Sequence, residues 1–249
     1  MAHPSFAVVI PMYNEETGAE TCVRAVCEEL RKLPNRSTLI AVNDGSEDKT
    51  GEILTNLSAS EPQLTILNYD RNSGYGSALR SGLEQAAKDE YEYVLFMDSD
   101  MTNDPRDIPR LVAKMEESFD VVKATRYSHG GKVSGVPFYR VAISALGNSL
   151  SRLLYGLPVH DCTNGFRAGK VRLLMQMKLT EKRFPIIMEE LYWSKFLAKT
   201  FAEVPVELTN RSIGQRPTSF SYSPKMLWDY LKYPVRAFFG IRPKSDTTC

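Results

Sequence analysis

Long apolar runs are scarce in this chain. The best of them, Phe6–Pro11 and Tyr93–Met97, fall far short of the ~20 residues that a membrane-spanning helix needs. Cysteine is scarce as well. Cys22, Cys27, Cys162 and Cys249 form no CxxC pair and no zinc-like spacing, so reduced thiols in a cytoplasmic protein are the plain expectation. The start lacks the basic-then-apolar pattern of a secretory signal. An excess of one charge is also missing: 31 Lys/Arg stand against 30 Asp/Glu, a net of +1 over 249 residues. That balance argues against nucleic acid as a partner. His3, His129 and His160 share no ligand-like spacing. Gly74 and Gly76 belong to no GxGxxG, so a dinucleotide fingerprint is absent and a tight, closely packed turn is expected there. No repeat or low-complexity tract is seen.

Apolar material for a large core is plentiful, at 43% hydrophobic and 10% aromatic residues. Phe6–Ile10, Thr38–Val42, Leu64–Leu67 and Tyr93–Met97 read as short buried strands. Residues 19–32, 48–58 and 75–88 carry helical spacing between them. The alternation predicts an α/β fold with a mostly parallel central sheet flanked by helices. After residue 104 the pattern loosens. Helices are expected over 105–115, 138–155, 169–180, 187–199 and 223–239. Strands are expected at Asp120–Ala124 and Ala202–Leu208, and a mobile loop over 126–137.

Three strands end in polar clusters: Tyr13/Asn14/Glu15, Asp44/Gly45/Ser46 and Asp98/Asp100. Ligands of open α/β sheets bind outside the carboxyl ends of strands, so the clusters are candidates for one site. Asp98 and Asp100 suit a hard divalent cation such as Mg²⁺ or Mn²⁺, and a solvated turn is the bland alternative. Asp44 suits a base N–H or a ribose hydroxyl, and an Asx-turn with Gly45 explains it equally well. Tyr13 offers a stacking ring and Glu15 an acceptor.

Charge is uneven along the chain. Residues 123–172 hold eight Lys/Arg and one acid, Asp161, a net of +7. Arginines short of local acids repel one another unless an anion arrives. Arg126, Arg140, Arg167, Arg211 and Arg216 are therefore candidate phosphate clamps. Glu189 and Glu190 begin a helical pattern, either as favourable helix-start acids or as a general base or acceptor-positioning group. Lys195 is expected to pair with one of them.

Together these segments resemble a known family. Val9-Ile-Pro-Met-Tyr-Asn-Glu-Glu16, Val42-Asn-Asp-Gly-Ser46, Asn72-Ser-Gly-Tyr-Gly76 and Met97-Asp-Ser-Asp100 resemble the nucleotide-sugar half of family 2 glycosyltransferases with the GT-A fold. Thr125-Arg-Tyr127, Asp161-Cys-Thr-Asn-Gly-Phe-Arg167, Glu203-Val-Pro-Val206 and Arg211-Ser-Ile-Gly214 resemble dolichyl-phosphate mannosyltransferases and their polyprenyl-phosphate relatives. The resemblance implies one GT-A-type catalytic domain over 1–240. Its nucleotide-binding half would be 1–104 and its acceptor-side half 105–240, with 241–249 a flexible tail. It implies inverting, metal-dependent transfer from a nucleotide diphosphate sugar (GDP-mannose or UDP-hexose) to a polyprenyl or dolichyl phosphate. Pro11, Tyr13, Glu15 and Asp44 would meet the nucleoside. Asp98 and Asp100 would hold nucleotide and metal. Arg126, Arg140 and Arg211 would meet phosphates, and Glu189 would lie near the sugar.

This chain departs from the family pattern in two places. Thr102 stands where a glutamine is often a further metal ligand, and it offers a shorter oxygen donor. Gly214-Gln-Arg-Pro-Thr-Ser219 replaces a Ser-Lys continuation, so Arg216 is the candidate to supply the lysine charge. Some family members carry C-terminal membrane spans. Here lipid contact is expected through a surface or a membrane-anchored partner, on the cytoplasmic membrane face. Residues 226–241, aromatic and basic, suit such an interface and suit core packing just as well. The alternatives are a soluble sugar, polyol or small-metabolite acceptor, and an inactive binding protein on the same scaffold.

Overall fold

The computed structural model describes residues 3–209 and 223–243. Its frame is a seven-stranded sheet. β1 (Phe6–Met12), β2 (Ser37–Asp44), β3 (Leu64–Tyr69) and β4 (Tyr93–Phe96) all run parallel. β5 (Val121–Thr125), β7 (Arg167–Lys170) and β8 (Phe201–Pro205) extend the sheet beyond β4, giving the order β3-β2-β1-β4-β7-β5-β8. β7 is antiparallel to both β4 and β5.

Strand alternation explains the two apolar layers. Phe6, Val8, Ile10 and Met12 of β1 enter one core with α1 (Ala19–Arg31), α2 (Thr50–Ser58) and α4 (Ile108–Glu116). Ala7 and Val9 enter the other, with α3 (Tyr75–Lys88), the short α6 (Val171–Leu174) and α7 (Ile186–Leu197). Period-2 side-chain direction turns continuous apolar runs into strands buried on both faces. α5 (Phe138–Tyr155) and α8 (Pro224–Phe238) pack against each other on the outside.

Several boundaries differ from expectation. Pro11 and Met12 lie within β1, buried and paired with Val42 and Asn43, rather than in the loop after it. Pro105–Asp107 is a short 3-10 turn before α4. Of residues 169–180, only α6 is helical. The expected mobile loop at 126–137 contains β6 (Lys132–Val133), which pairs with β9 (Glu207–Leu208) in a small separate sheet. Val206 N donates to Thr125 O and Lys132 N to Val206 O, both at 3.0 Å, so the segment is tied to the end of β5.

Candidate functional site

Strand order reverses between β1 and β4: β2 and β3 extend on one side, β7 and its neighbours on the other. Such a switch point opens a crevice at the carboxyl ends of the strands. Asp98 and Asp100 follow β4 there, in a bend that continues into Met101 at φ +57°. Asp98 is half-buried and accepts a hydrogen bond from Tyr75 Oη at 2.8 Å. The Tyr75 ring leans on Phe184 with centroids 4.7 Å apart. Burial, then the Asp98 charge, pushes the Tyr75 phenol well up, so it stays a donor. Gly165 closes the other side of Asp98. A Cβ there would lie 2.7 Å from Asp98 Oδ2, closer than packed atoms allow. Asp100 accepts from the Thr102 hydroxyl at 2.8 Å and the Thr102 amide at 3.1 Å. Thr102 thus touches the carboxylate beside which it was expected to act.

The ends of β1 and β2 are interlocked. Asn14 N donates to Ser46 Oγ at 3.0 Å, Glu47 N to Asn14 Oδ1 at 2.9 Å and Glu15 N to Thr50 Oγ1 at 2.8 Å. Tyr13 is half-buried and Glu15 buried. The local turn contact is made by Asn43, whose Oδ1 accepts from Ser46 N three residues on at 3.2 Å. Asp44 does something else: its two oxygens accept from Ser73 N and Gly74 N, both at 2.8 Å, and dock the loop that opens α3. Gly45 permits this approach, because a Cβ would meet Arg71 C at 2.4 Å and its φ is +68°.

The basic window is less bare of partners than its sequence suggests. Arg167 is 1% exposed and grips Glu190 through Nε and Nη2, with Nη1 on Gly165 O. It is a buried structural cation, not a phosphate clamp. Lys123 is wholly buried, and its ammonium donates to Asn164 O at 2.7 Å. Burial and neighbouring Arg167 push that amine down to about 8. Lys170 pairs with Asp120 at 2.8 Å. Arg126 forks onto Asp161 at 2.6 and 2.8 Å and reaches Thr163 Oγ1 at 2.8 Å. Burial alone would raise the Asp161 carboxyl, but the Arg126 charge and its hydrogen bonds, with the Lys123 charge, together hold it low. Asp161 is the window's own single acid, whereas Glu190 and Asp120 lie outside it, where a linear window does not count them. Arg140 is half-exposed, with Tyr139 Oη at 3.3 Å. Arg211 and Arg216 lie outside the described residues.

Glu189 is buried in α7, and its carboxylate accepts from Thr180 N, Thr180 Oγ1 and Glu181 N at 2.7–2.9 Å. The segment so held packs over the start of α3: Gly76 N donates to Lys182 O at 2.9 Å. Close backbone packing at Gly74 and Gly76 is thereby observed. Lys195 pairs with neither glutamate; its ammonium donates to the carbonyls of Tyr155 and Ala237.

The donor set at the crevice fits a hard divalent ion. It consists of carboxylate and hydroxyl oxygens, and Mg²⁺-like ions favour one or two carboxylates plus a ligand's phosphates. Among the described residues no cluster of three or more His, Cys, Asp or Glu forms a closed cage. Sequence reasoning did not single out Tyr75 and Gly165, which flank Asp98. Both sit in segments it had quoted, and only folding makes them neighbours.

Comparison with known proteins gives concordant results. Residues 7–177 match the family described as Glycosyl transferase family 2. A polyprenol monophosphomannose synthase of Mycolicibacterium smegmatis is 27% identical over 92% of this chain and 86% of its own length. A dolichol-phosphate mannosyltransferase of Pyrococcus furiosus is 29% identical over 92% of this chain, which spans 62% of that longer protein. Among solved structures, glucosyl-3-phosphoglycerate synthase of Mycobacterium tuberculosis, in complex with Mn²⁺, UDP and glucosyl-3-phosphoglycerate, superposes with a TM-score of 0.68. It is 20% identical, and the match covers 97% of this chain and 82% of that one.

Proposed function

The chain belongs to glycosyl transferase family 2 and is a glycosyltransferase of GT-A-type fold, and on that premise we propose that it transfers a sugar from a nucleotide diphosphate sugar to a polyprenyl or dolichyl phosphate. The acceptor class rests on the relatives. Two aligned with 92% of this chain are named for polyprenol or dolichol phosphate products. The carboxylate pair at the switch point supports a donor diphosphate in the crevice.

In this reading a phosphate oxygen of the lipid attacks the anomeric carbon. The bond from that carbon to the diphosphate breaks, and the nucleoside diphosphate leaves with the electron pair, inverting the centre. A lipid phosphate is ionised at neutral pH, so no strong base is required. Glu189, already holding three donors, acts by position: it fixes the 180–181 segment against the start of α3, whose Tyr75 fixes Asp98. Asp98 and Asp100, with Thr102 beside them, would hold a divalent cation, Mg²⁺ or Mn²⁺. Such an ion supplies charge neutralisation at a departing diphosphate. Pro11, Tyr13, Glu15 and Asp44 line the nucleoside side. Arg126, Arg140, Arg211 and Arg216 serve the phosphates.

The test is a matrix of GDP-mannose and UDP-hexoses against polyprenyl phosphate, 3-phosphoglycerate and free sugars, with Mg²⁺ or Mn²⁺. Product on polyprenyl phosphate with at least one donor is expected. Transfer to soluble acceptors alone would replace this reading with the second one, for which the fold of the glucosyl-3-phosphoglycerate synthase is a precedent.

A further inference from the structure

α5 has the reverse of the polarity expected for a helix facing water. Its buried residues are Asn148, Ser151 and Tyr155. Its exposed side carries Tyr139, Ile143, Leu146, Leu150 and Leu153, in steps of four, three, four and three. That spacing keeps them on one face. Leu146 and Leu153 are 73% and 74% exposed, and Phe138 at the helix start is 85% exposed. Asn148 accounts for the inversion. It holds the loop before β7, accepting from Cys162 N at 2.7 Å and donating to Thr163 Oγ1 at 3.0 Å.

α8 lies against α5 and adds exposed Leu227, Trp228, Phe238 and Phe239. The ends of the two helices are pinned together by Lys195, which bridges the Tyr155 and Ala237 carbonyls at 2.7 and 3.2 Å. Single exposed apolar residues are ordinary, but a stripe shared by two neighbouring helices marks an interaction surface.

Charge selects the occupant. α5 carries Arg140 and Arg152 and no acid; α8 and residues 239–243 carry Lys225, Lys232, Arg236 and Arg242 against Asp229 alone. Lys232 is engaged by Glu181 and Asp229. Arg152, Lys225, Arg236 and Arg242 are exposed. A second copy would bring like charges together, whereas an anionic leaflet is complementary to both the apolar stripe and its basic fringe.

We propose that α5 and α8 form a monotopic docking face that seats this enzyme on an anionic bilayer. Leu146, Leu153, Trp228 and Phe238 enter the acyl boundary, and the exposed basic side chains lie among the headgroups. The loop that Asn148 holds leads to Gly165 at Asp98, so the buried side of α5, opposite the docking stripe, is linked to the candidate site. This docking goes beyond the transfer reaction and is measurable without any substrate.

The experiment is flotation with phosphatidylcholine vesicles, with and without phosphatidylglycerol. Wild type is expected to bind the anionic vesicles at least roughly tenfold more tightly than the neutral ones. Trp228 emission shifts to the blue and is quenched by brominated acyl chains. Leu146→Asp with Leu153→Asp weakens binding by about tenfold or more, with unchanged circular dichroism. Arg152→Glu with Arg236→Glu removes the preference for anionic lipid. Absent vesicle binding, or binding indifferent to these changes, overturns the proposal. So does a wild-type dimer in sedimentation that the aspartate pair dissociates, because the face would then belong to a second copy. Transfer to a short, water-soluble polyprenyl phosphate without vesicle binding defeats the docking alone. Vesicle binding without transfer to any lipid phosphate defeats the reaction alone.

Discussion

A carboxylate at a strand end is useful only when its position is fixed, and Asp98 is fixed from two sides by Tyr75 and Gly165. A hydrogen bond to a charged group contributes about 1.5–3 kcal/mol. Tyr75→Phe is therefore expected to lower kcat/KM roughly tenfold or more, and to raise the divalent-ion concentration giving half-maximal activity. Titrating activity against Mn²⁺ checks it; an unchanged metal dependence would detach Tyr75 from the site. Lys123 gives a prediction in pH. Its amine falls from 10.5 to about 8 on folding. Between these values the unfolded chain holds the extra proton, so the stability linked to Lys123 rises with pH across that window. Denaturant unfolding should show wild type gaining on Lys123→Met from pH 8 to 10.5, by of the order of 3 kcal/mol. At this scale Asp98 and Asp100 were legible, because an apolar strand ending in acids is a local pattern. The partners of Arg126 and Arg167 were not, because Asp161 and Glu190 reach them only through the folded chain.

Elements read well in position and poorly in orientation. α5 occupies Phe138–Tyr155 as its spacing foretells, yet its small and polar residues suggested nothing about which face would be buried. The β6–β9 pair escaped notice because two-residue strands leave no periodicity. α7 was recognised as a helix with two glutamates at its start, but their tasks differ: Glu190 neutralises Arg167, and Glu189 holds the 180–181 segment. That difference is testable. If Glu189 positions rather than deprotonates, Glu189→Gln keeps the wild-type pH profile of kcat while kcat/KM falls roughly tenfold. Loss of the acidic limb of that profile would instead assign it proton transfer.

On the scale of the whole molecule, the parallel half of the sheet was foreseeable from alternating strands and helices. The antiparallel β7, inserted between β4 and β5, was not, since strand order depends on contacts between distant segments. That insertion matters because it brings the Asp161–Gly165 loop to Asp98 and leaves α5 outside. Near-neutral net charge likewise conceals a division of labour. Several basic residues of the central window are structural, and others fringe an apolar face. No described helix is long and apolar enough to cross a membrane. The most direct test of the central claim is single-turnover transfer of labelled sugar from nucleotide sugar to polyprenyl phosphate, comparing wild type with Asp98→Asn and Asp100→Asn across a Mn²⁺ titration. The account predicts labelled lipid with wild type, its loss on chelation, and a fall of at least about a hundredfold in both variants even at saturating metal. Undiminished transfer by either variant, or label appearing solely on soluble acceptors, would contradict it.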